Sequence, residues 1–164
     1  MPRLRSEPMT QDRTFRTRAL SPEECALTLG RLQLGRLAFT FRDRVDIRPL
    51  GYVYQDGWLF GRTALGEKTE TLLHHRWVAF QVDEVADLWN WTSVVVHGAF
   101  HLLPLDGTGE EARLGARAVE ALEARFPGIF SLDDPGRHRT LIFGISIQEM
   151  TGVQGVLEGA SDPG

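Results

Sequence analysis

The stretch Trp58–Lys68, WLFGRTALGEK, changes its pattern halfway along. Its first half predicts a short strand. Its second half predicts a tight turn and the N-terminus of a helix. Arg62, Thr63 and Lys68 gather around Gly61 and Gly66, an odd polar content for a core strand. A helix N-terminus presents unpaired backbone N–H groups and a partial positive charge. A hydroxyl, an ammonium and a guanidinium beside it make a seat for a phosphate.

Working outward, Gln55-Asp56-Gly57 is hairpin chemistry, so Val45–Tyr54 (VDIRPLGYVY) is expected to pair with Trp58–Thr63. Pro49 and Gly51 interrupt that upstream strand. Proline cannot donate to a ladder, and glycine leaves room for a close backbone neighbour. Two readings stay open: a sheet edge or bulge, and a flat ligand lying against this backbone. Gly35–Phe41 (GRLAFTF) reads as the strand before. Gly66–His75 predicts a short helix with Leu72 and Leu73 inward, and Trp77–Glu84 (WVAFQVDE) alternates as a strand. Asp83, Glu84 and Asp87 read as part of a solvated loop. Trp91–Leu103 (WTSVVVHGAFHLL) is the longest strand, with Val94, Val96, Phe100 and Leu102 on one apolar face. His97 and His101 share the other face roughly 13 Å apart, too far for one metal ion. Leu141–Gln148 (LIFGISIQ) is the last strand.

Two helices flank these strands. Ser21-Pro22-Glu23-Glu24 is a capping box with proline at the first helical position, and Cys25, Ala26 and Leu29 form the inner face. Thr108-Gly109-Glu110-Glu111 reads as a second capping box, opening a helix to about Phe126. Six strands joined mostly by hairpins, with few helices, predict an α+β protein built on an antiparallel barrel.

The chain has 164 residues and is 42% hydrophobic, enough for one domain with a sizeable core. A net charge of −4 sets up no global field for nucleic acid. No apolar run approaches the roughly 20 residues of a membrane span, and no signal peptide is visible. The single cysteine, Cys25, excludes an internal disulfide and reads as a small core residue. These features together predict a cytoplasmic protein. Residues 1–18, with five arginines, are expected to be a flexible arm, residues 19–158 a single domain, and residues 159–164 a frayed end.

No GxSxG elbow, Walker loop or GxGxxG turn is present, and no histidine pair has metal-ligand spacing with a carboxylate. What remains is the ordered set SPEEC, GRLAF, RPLGYVYQDGWLFGRTALGEK, WVAFQVDE, WTSVVVHGAFHLL and FGISIQEMTG. Over about residues 20–155 this set resembles the pyridoxamine 5′-phosphate oxidase-like family of flavin-binding split barrels, above all its nitroimidazole-resistance branch. The resemblance implies a six-stranded antiparallel split β-barrel with peripheral helices, and a homodimer with FMN at the subunit interface. It also implies positions. Pro49, Leu50, Gly51 and Tyr52 would line the isoalloxazine ring through the backbone. Phe60, Gly61, Arg62 and Thr63 would run along the ribityl chain and phosphate, with Gly66 and Lys68 holding the phosphate itself. Trp91, Ser93 and Val94 would touch the flavin, from the partner subunit in a two-chain site. Tyr52, on the ring-lining strand, is the candidate acid.

Two departures from the family pattern bear on activity. Nitroimidazole reductases of this branch have a histidine where this chain has Gly61, and the signatures of true pyridoxamine phosphate oxidases are missing. The expectation is therefore an FMN-dependent oxidoreductase acting on a small organic acceptor. The alternatives are a flavin-binding module for storage or sensing, and a split barrel that uses deazaflavin or haem.

Overall fold

A computed structural model describes residues 13–159. In chain order these form β1 (Thr14–Ala19), α1 (Pro22–Arg31), β2 (Leu34–Phe41), β3 (Arg44–Gly51), β4 (Val53–Gln55) and β5 (Trp58–Thr63). Then follow α2 (Glu67–His74), β6 (Trp77–Val85), β7 (Trp91–Leu103), α3 (Glu110–Arg125) and β8 (Leu141–Glu158). Every strand pairing is antiparallel, in the order β3-β2-β6-β7-β8-β5-β4, with β1 added along the far part of β8. The fold is α+β, one antiparallel sheet with few helices, as expected.

The two edges of this sheet, β3 and β4, are neighbours in sequence, separated only by Tyr52. The sheet therefore curls until its edges meet, and the chain crosses the seam where no ladder does. Tyr52 fixes that crossing. Its ring is fully buried, its hydroxyl donates to the Leu29 carbonyl at 2.7 Å, and its N–H donates to the Gln33 carbonyl at 2.9 Å. Gly51 and Gly61 meet across the seam: a Cβ on Gly61 would lie 3.0 Å from the Gly51 oxygen and 2.4 Å from the Phe143 ring.

Alternation along the strands separates two cores. Leu37, Phe39, Phe80, Val82, Val94, Val96, Phe100 and Phe143 fill the inside of the curl, with Cys25 and Leu29 of α1 against them. Each large side chain buried this way contributes about 1.5–3 kcal/mol. The opposite face of β5, β7 and β8 packs on α3 through Phe60, Leu103, Ala118, Leu122 and Ile142. Strand β7 contributes to both cores, with Val94, Val96 and Phe100 in the first and Leu103 in the second.

Several boundaries differ from expectation. The described residues hold eight strands where six were expected, and the sheet is not closed by hydrogen bonds. Val45–Tyr54 divides at Tyr52 because that side chain is drawn into the core. Residues 14–18 of the expected flexible arm belong to β1, held by the β8 ladder and by ion pairs of Arg16 with Glu158 and Arg18 with Glu24. The arm before Arg13 and the end after Gly159 lie outside the described residues. Strand β8 runs on past Gln148, which is bypassed where the β7 register shifts between His97 and Gly98. The Ser21 capping box is present, but α3 is capped by Gly109 without a side-chain bond, not by Thr108.

Candidate functional site

Inside the seam, β2, β3, β5 and α2 enclose a cavity of about 620 Å³, within the usual range for a small-molecule site. Its apolar walls are Leu37, Phe39 and Phe41 of β2, Leu50 of β3, Leu72 of α2, and Phe100 and Phe143. Pro49, Thr63, Gly66 and Lys68 also line it, with the three arginines Arg48, Arg62 and Arg139. Residues distant in sequence thus build one cavity with apolar walls and four cationic side chains, Glu67 being the one carboxylate that lines it.

The N-terminus of α2 lies at this cavity. Gly66 caps it in an extended conformation, with no side-chain cap and nothing within 4 Å of where its Cβ would sit. Thr69 holds the preceding turn by donating to the Ala64 carbonyl at 2.9 Å. Thr63 donates to the same carbonyl at 3.5 Å, a weak bond its hydroxyl can leave for a ligand. Lys68 Nζ lies 2.6 Å from Asp46 Oδ2 and 5.8 Å from the Phe41 ring centroid. Arg48 Nε lies 3.7 Å from the same carboxylate oxygen.

Arg62 sits differently from Lys68. Its guanidinium forms a two-pronged pair with the Asp134 carboxylate and donates to the Ile129 carbonyl at 2.7 Å. Both side chains are nearly buried, at 14% and 5% exposure. Hydrogen bonds from Arg62 hold the Asp134 carboxyl well below its usual range, at about 2. Arg62 borders the cavity, yet most of its charge is committed to tying β5 to the segment after α3.

The structure brings Pro49, Leu50, Arg62, Thr63, Gly66 and Lys68 together around this cavity. It does not bring the others there. Gly51 borders a second cavity beside it. The Phe60 side chain is fully buried under α3. Gly61 backs onto Phe143 and Gly51, which leaves no room there for a histidine side chain. Tyr52, the candidate acid, donates its hydroxyl to the Leu29 carbonyl, and burial pushes its pKa up. Trp91, Ser93 and Val94 lie near the start of β7. Val94 is six residues from Phe100, roughly 20 Å along a strand. Val94 is in the core, Ser93 accepts from Gln81, and Trp91 covers Gly155.

Sequence reading missed Arg48, Arg139, Asp46 and Asp134. Arg139 lies two residues before β8, and the pairing of Leu141 with Thr63 sets it beside the turn at 64–66. No local motif could have shown this, because 76 positions separate Thr63 from Arg139. The acids beside the β6–β7 loop behave as a solvated group: Asp83 pairs with Arg36, Glu84 with Arg31, and Asp87 accepts from Trp89 and Asn90. His101 is half-buried against Trp58 and Ser146, and burial lowers its pKa. Among the described residues, no group of histidine, cysteine or carboxylate side chains could hold a metal ion. No helix there is long and apolar enough to cross a membrane.

Comparison with known proteins gives the family and the fold. An uncharacterised protein of Rhizobium meliloti is 27% identical over 140 residues, covering 82% of this chain and 93% of that one. An FAD-binding protein from Mesorhizobium loti superposes with a TM-score of 0.67 at 29% identity, covering 84% of this chain and 97% of its own. A candidate 5-nitroimidazole antibiotic resistance protein from Bacteroides thetaiotaomicron shares the fold at a TM-score of 0.64 and 14% identity, covering 93% of this chain and 98% of its own. The family model for pyridoxamine 5′-phosphate oxidase matches residues 21–154, and the chain belongs to that family.

Proposed function

We propose that this chain is a flavoprotein whose seam cavity holds an FMN unit, and that it works as an oxidoreductase on a small organic acceptor. The observation that carries this reading is the cavity itself: an apolar space at a helix N-terminus without a side-chain cap, lined also by Lys68, Arg48 and Arg139. A flavin has the same two parts, a flat apolar ring system and an anionic phosphate. When bound, the flavin would supply two-electron chemistry that the cavity's own side chains do not. Leu50, Phe39 and Phe143 would hold the ring and exclude water. Lys68, Thr63 and the α2 N–H groups would neutralise the phosphate. The flavin of the Mesorhizobium relative supports the cofactor class.

The same reading takes the protein as a homodimer with the flavin at the subunit interface. Val45 and Ile47 of β3 and Trp77 of β6 leave large apolar side chains 60–74% exposed on the two strands that flank β2. An apolar patch of this kind is expected to be covered. A partner would also bring its own Trp91–Val94 segment within reach of a ring that this chain's segment cannot touch.

Anaerobic addition of NADH or NADPH to flavin-loaded protein, followed by candidate acceptors, tests the activity. Bleaching near 450 nm and its return with an acceptor support an oxidoreductase. A flavin that no donor reduces points to the storage or sensing role, which the inward-facing Tyr52 hydroxyl favours. The visible spectrum also separates cofactor types. Among the described residues, no histidine, cysteine or methionine lines the cavity, so none of them offers a haem iron an axial ligand there.

A further inference from the structure

The second cavity, of about 600 Å³, shares Arg62 and Arg139 as walls with the seam cavity. Leu122 and Phe126 at the end of α3, together with Ile129, give it apolar walls. Its charges do not balance. The one carboxylate lining it, Asp134, is committed to Arg62. Arg125 spends one bond on the Arg31 carbonyl at 3.0 Å, leaving other guanidinium donors free. The Arg139 guanidinium has no hydrogen-bond or ion-pair partner among the described residues.

Two features set the class of ligand. Guanidinium forks without acids to match them suit a planar anion, which they can grip through paired N–H donors. The cavity also lies at the C-terminal end of α3, where Arg125 is the last helical residue and Phe126 the cap. A helix C-terminus carries a partial negative charge, which opposes a doubly charged phosphate more than a singly charged carboxylate. The seam cavity has the reverse polarity, because the N-terminus of α2 lies there. The apolar walls call for an apolar body behind the charge.

We propose that the second cavity binds a monocarboxylic acid with an aromatic or branched apolar body, as a ligand separate from the cofactor. Its carboxylate takes the forks of Arg125 and Arg139, and its body lies on Phe126 and Leu122. Resting on the flavin reading above, the acid and the flavin phosphate share Arg139. Each therefore weakens binding of the other by the same factor, and the acid sets how firmly the cofactor is held.

Calorimetric titration of the cofactor-free full chain with phenylacetate and with its neutral amide, phenylacetamide, tests the site. The anion is expected to bind about ten-fold more tightly, the worth of one charge-assisted hydrogen bond. Arg125→Ala should weaken phenylacetate about ten-fold and leave FMN affinity unchanged, with circular-dichroism melting to report that the variant folds. Arg139→Ala, whose side chain has no partner to lose, should weaken phenylacetate about as much. Lys68→Ala should weaken FMN and leave phenylacetate unchanged. Equal affinity for acid and amide overturns the site. A loss of phenylacetate in folded Lys68→Ala but not in Arg125→Ala moves the acid to the seam cavity and overturns it too. In FMN-loaded protein the acid should bind about five-fold more weakly. An unchanged affinity overturns the shared cation, and complete exclusion by FMN overturns the separate site. If FMN itself fails to bind, the flavin reading falls, while the phenylacetate titrations of the unmodified protein and the two arginine variants still decide the acid site.

Discussion

Lys68 and Asp46 show how one residue's role depends on a partner far along the chain. The ammonium lies at an uncapped helix N-terminus, yet the Asp46 carboxylate is 2.6 Å away. A bound phosphate would share or displace that contact. Lys68→Ala is expected to lower flavin affinity roughly 10- to 100-fold, because a hydrogen bond to a charged group contributes about 1.5–3 kcal/mol. Asp46→Asn should act in the opposite direction. The Lys68–Asp46 pair is about one-third exposed, so it holds the lysine by only about 0.2–1 kcal/mol, and freeing it should raise affinity up to about five-fold. Fluorescence titration of the two variants reads both effects. An affinity that falls in Asp46→Asn would mean that the aspartate positions the lysine instead of competing for it.

The ion pair between Arg62 and Asp134 is a joint between elements, fastening β5 to the segment that follows α3. The Asp134 carboxyl titrates lower in the folded chain than its ordinary value of 3.8, at about 2, because Arg62 hydrogen-bonds its charged form. Its stabilisation is therefore complete above about pH 4 and is lost as the pH falls towards 2. Urea midpoints measured from pH 7 to pH 2 should fall less steeply below pH 4 in Asp134→Asn than in the unmodified protein. Identical slopes would show that the pair does not report on folding. Helix α3 makes the second joint. Gly115 is unfavourable in a helix by about 1 kcal/mol relative to alanine, but a Cβ there would come within 2.2 Å of the Pro104 carbonyl oxygen. That oxygen belongs to backbone and cannot swing away, so an overpacking cost of about 1–3 kcal/mol outweighs the helix gain. Gly115→Ala should lower the urea midpoint, where a solvent-facing glycine would raise it.

For the whole molecule, the exposed apolar side chains on β3 and β6 set the expected assembly. Sedimentation should give twice the 18.4 kDa chain mass. Ile47→Glu places a charge on the patch, on a residue already 60% exposed, so the fold should survive while the dimer separates. Flavin affinity should fall with it if the partner's Trp91–Val94 segment completes the site. A monomeric unmodified protein that binds flavin at full strength would remove the two-chain site.

Local chemistry by itself determined much of this molecule. The Ser21 capping box, the Asp56-Gly57 turn with both residues at positive φ (47° and 79°), the Trp91–Leu103 alternation and the uncapped Gly66 turn all formed as read. Each depends on residues within one turn or along one strand. The grouping of Thr63, Gly66 and Lys68 at one cavity was legible for the same reason, since they lie on one short stretch. Tertiary structure alone decided the rest. Tyr52 left its strand because burying its ring and satisfying its hydroxyl at Leu29 favours the crossing over continued pairing. Arg62 was drawn to Asp134, a carboxylate 72 positions away, and Gly61 was made a contact point by Phe143. Arg48 and Arg139 reached the cavity only through strand register. Register and burial are settled between segments that meet only after folding, so no pattern within one segment could show them.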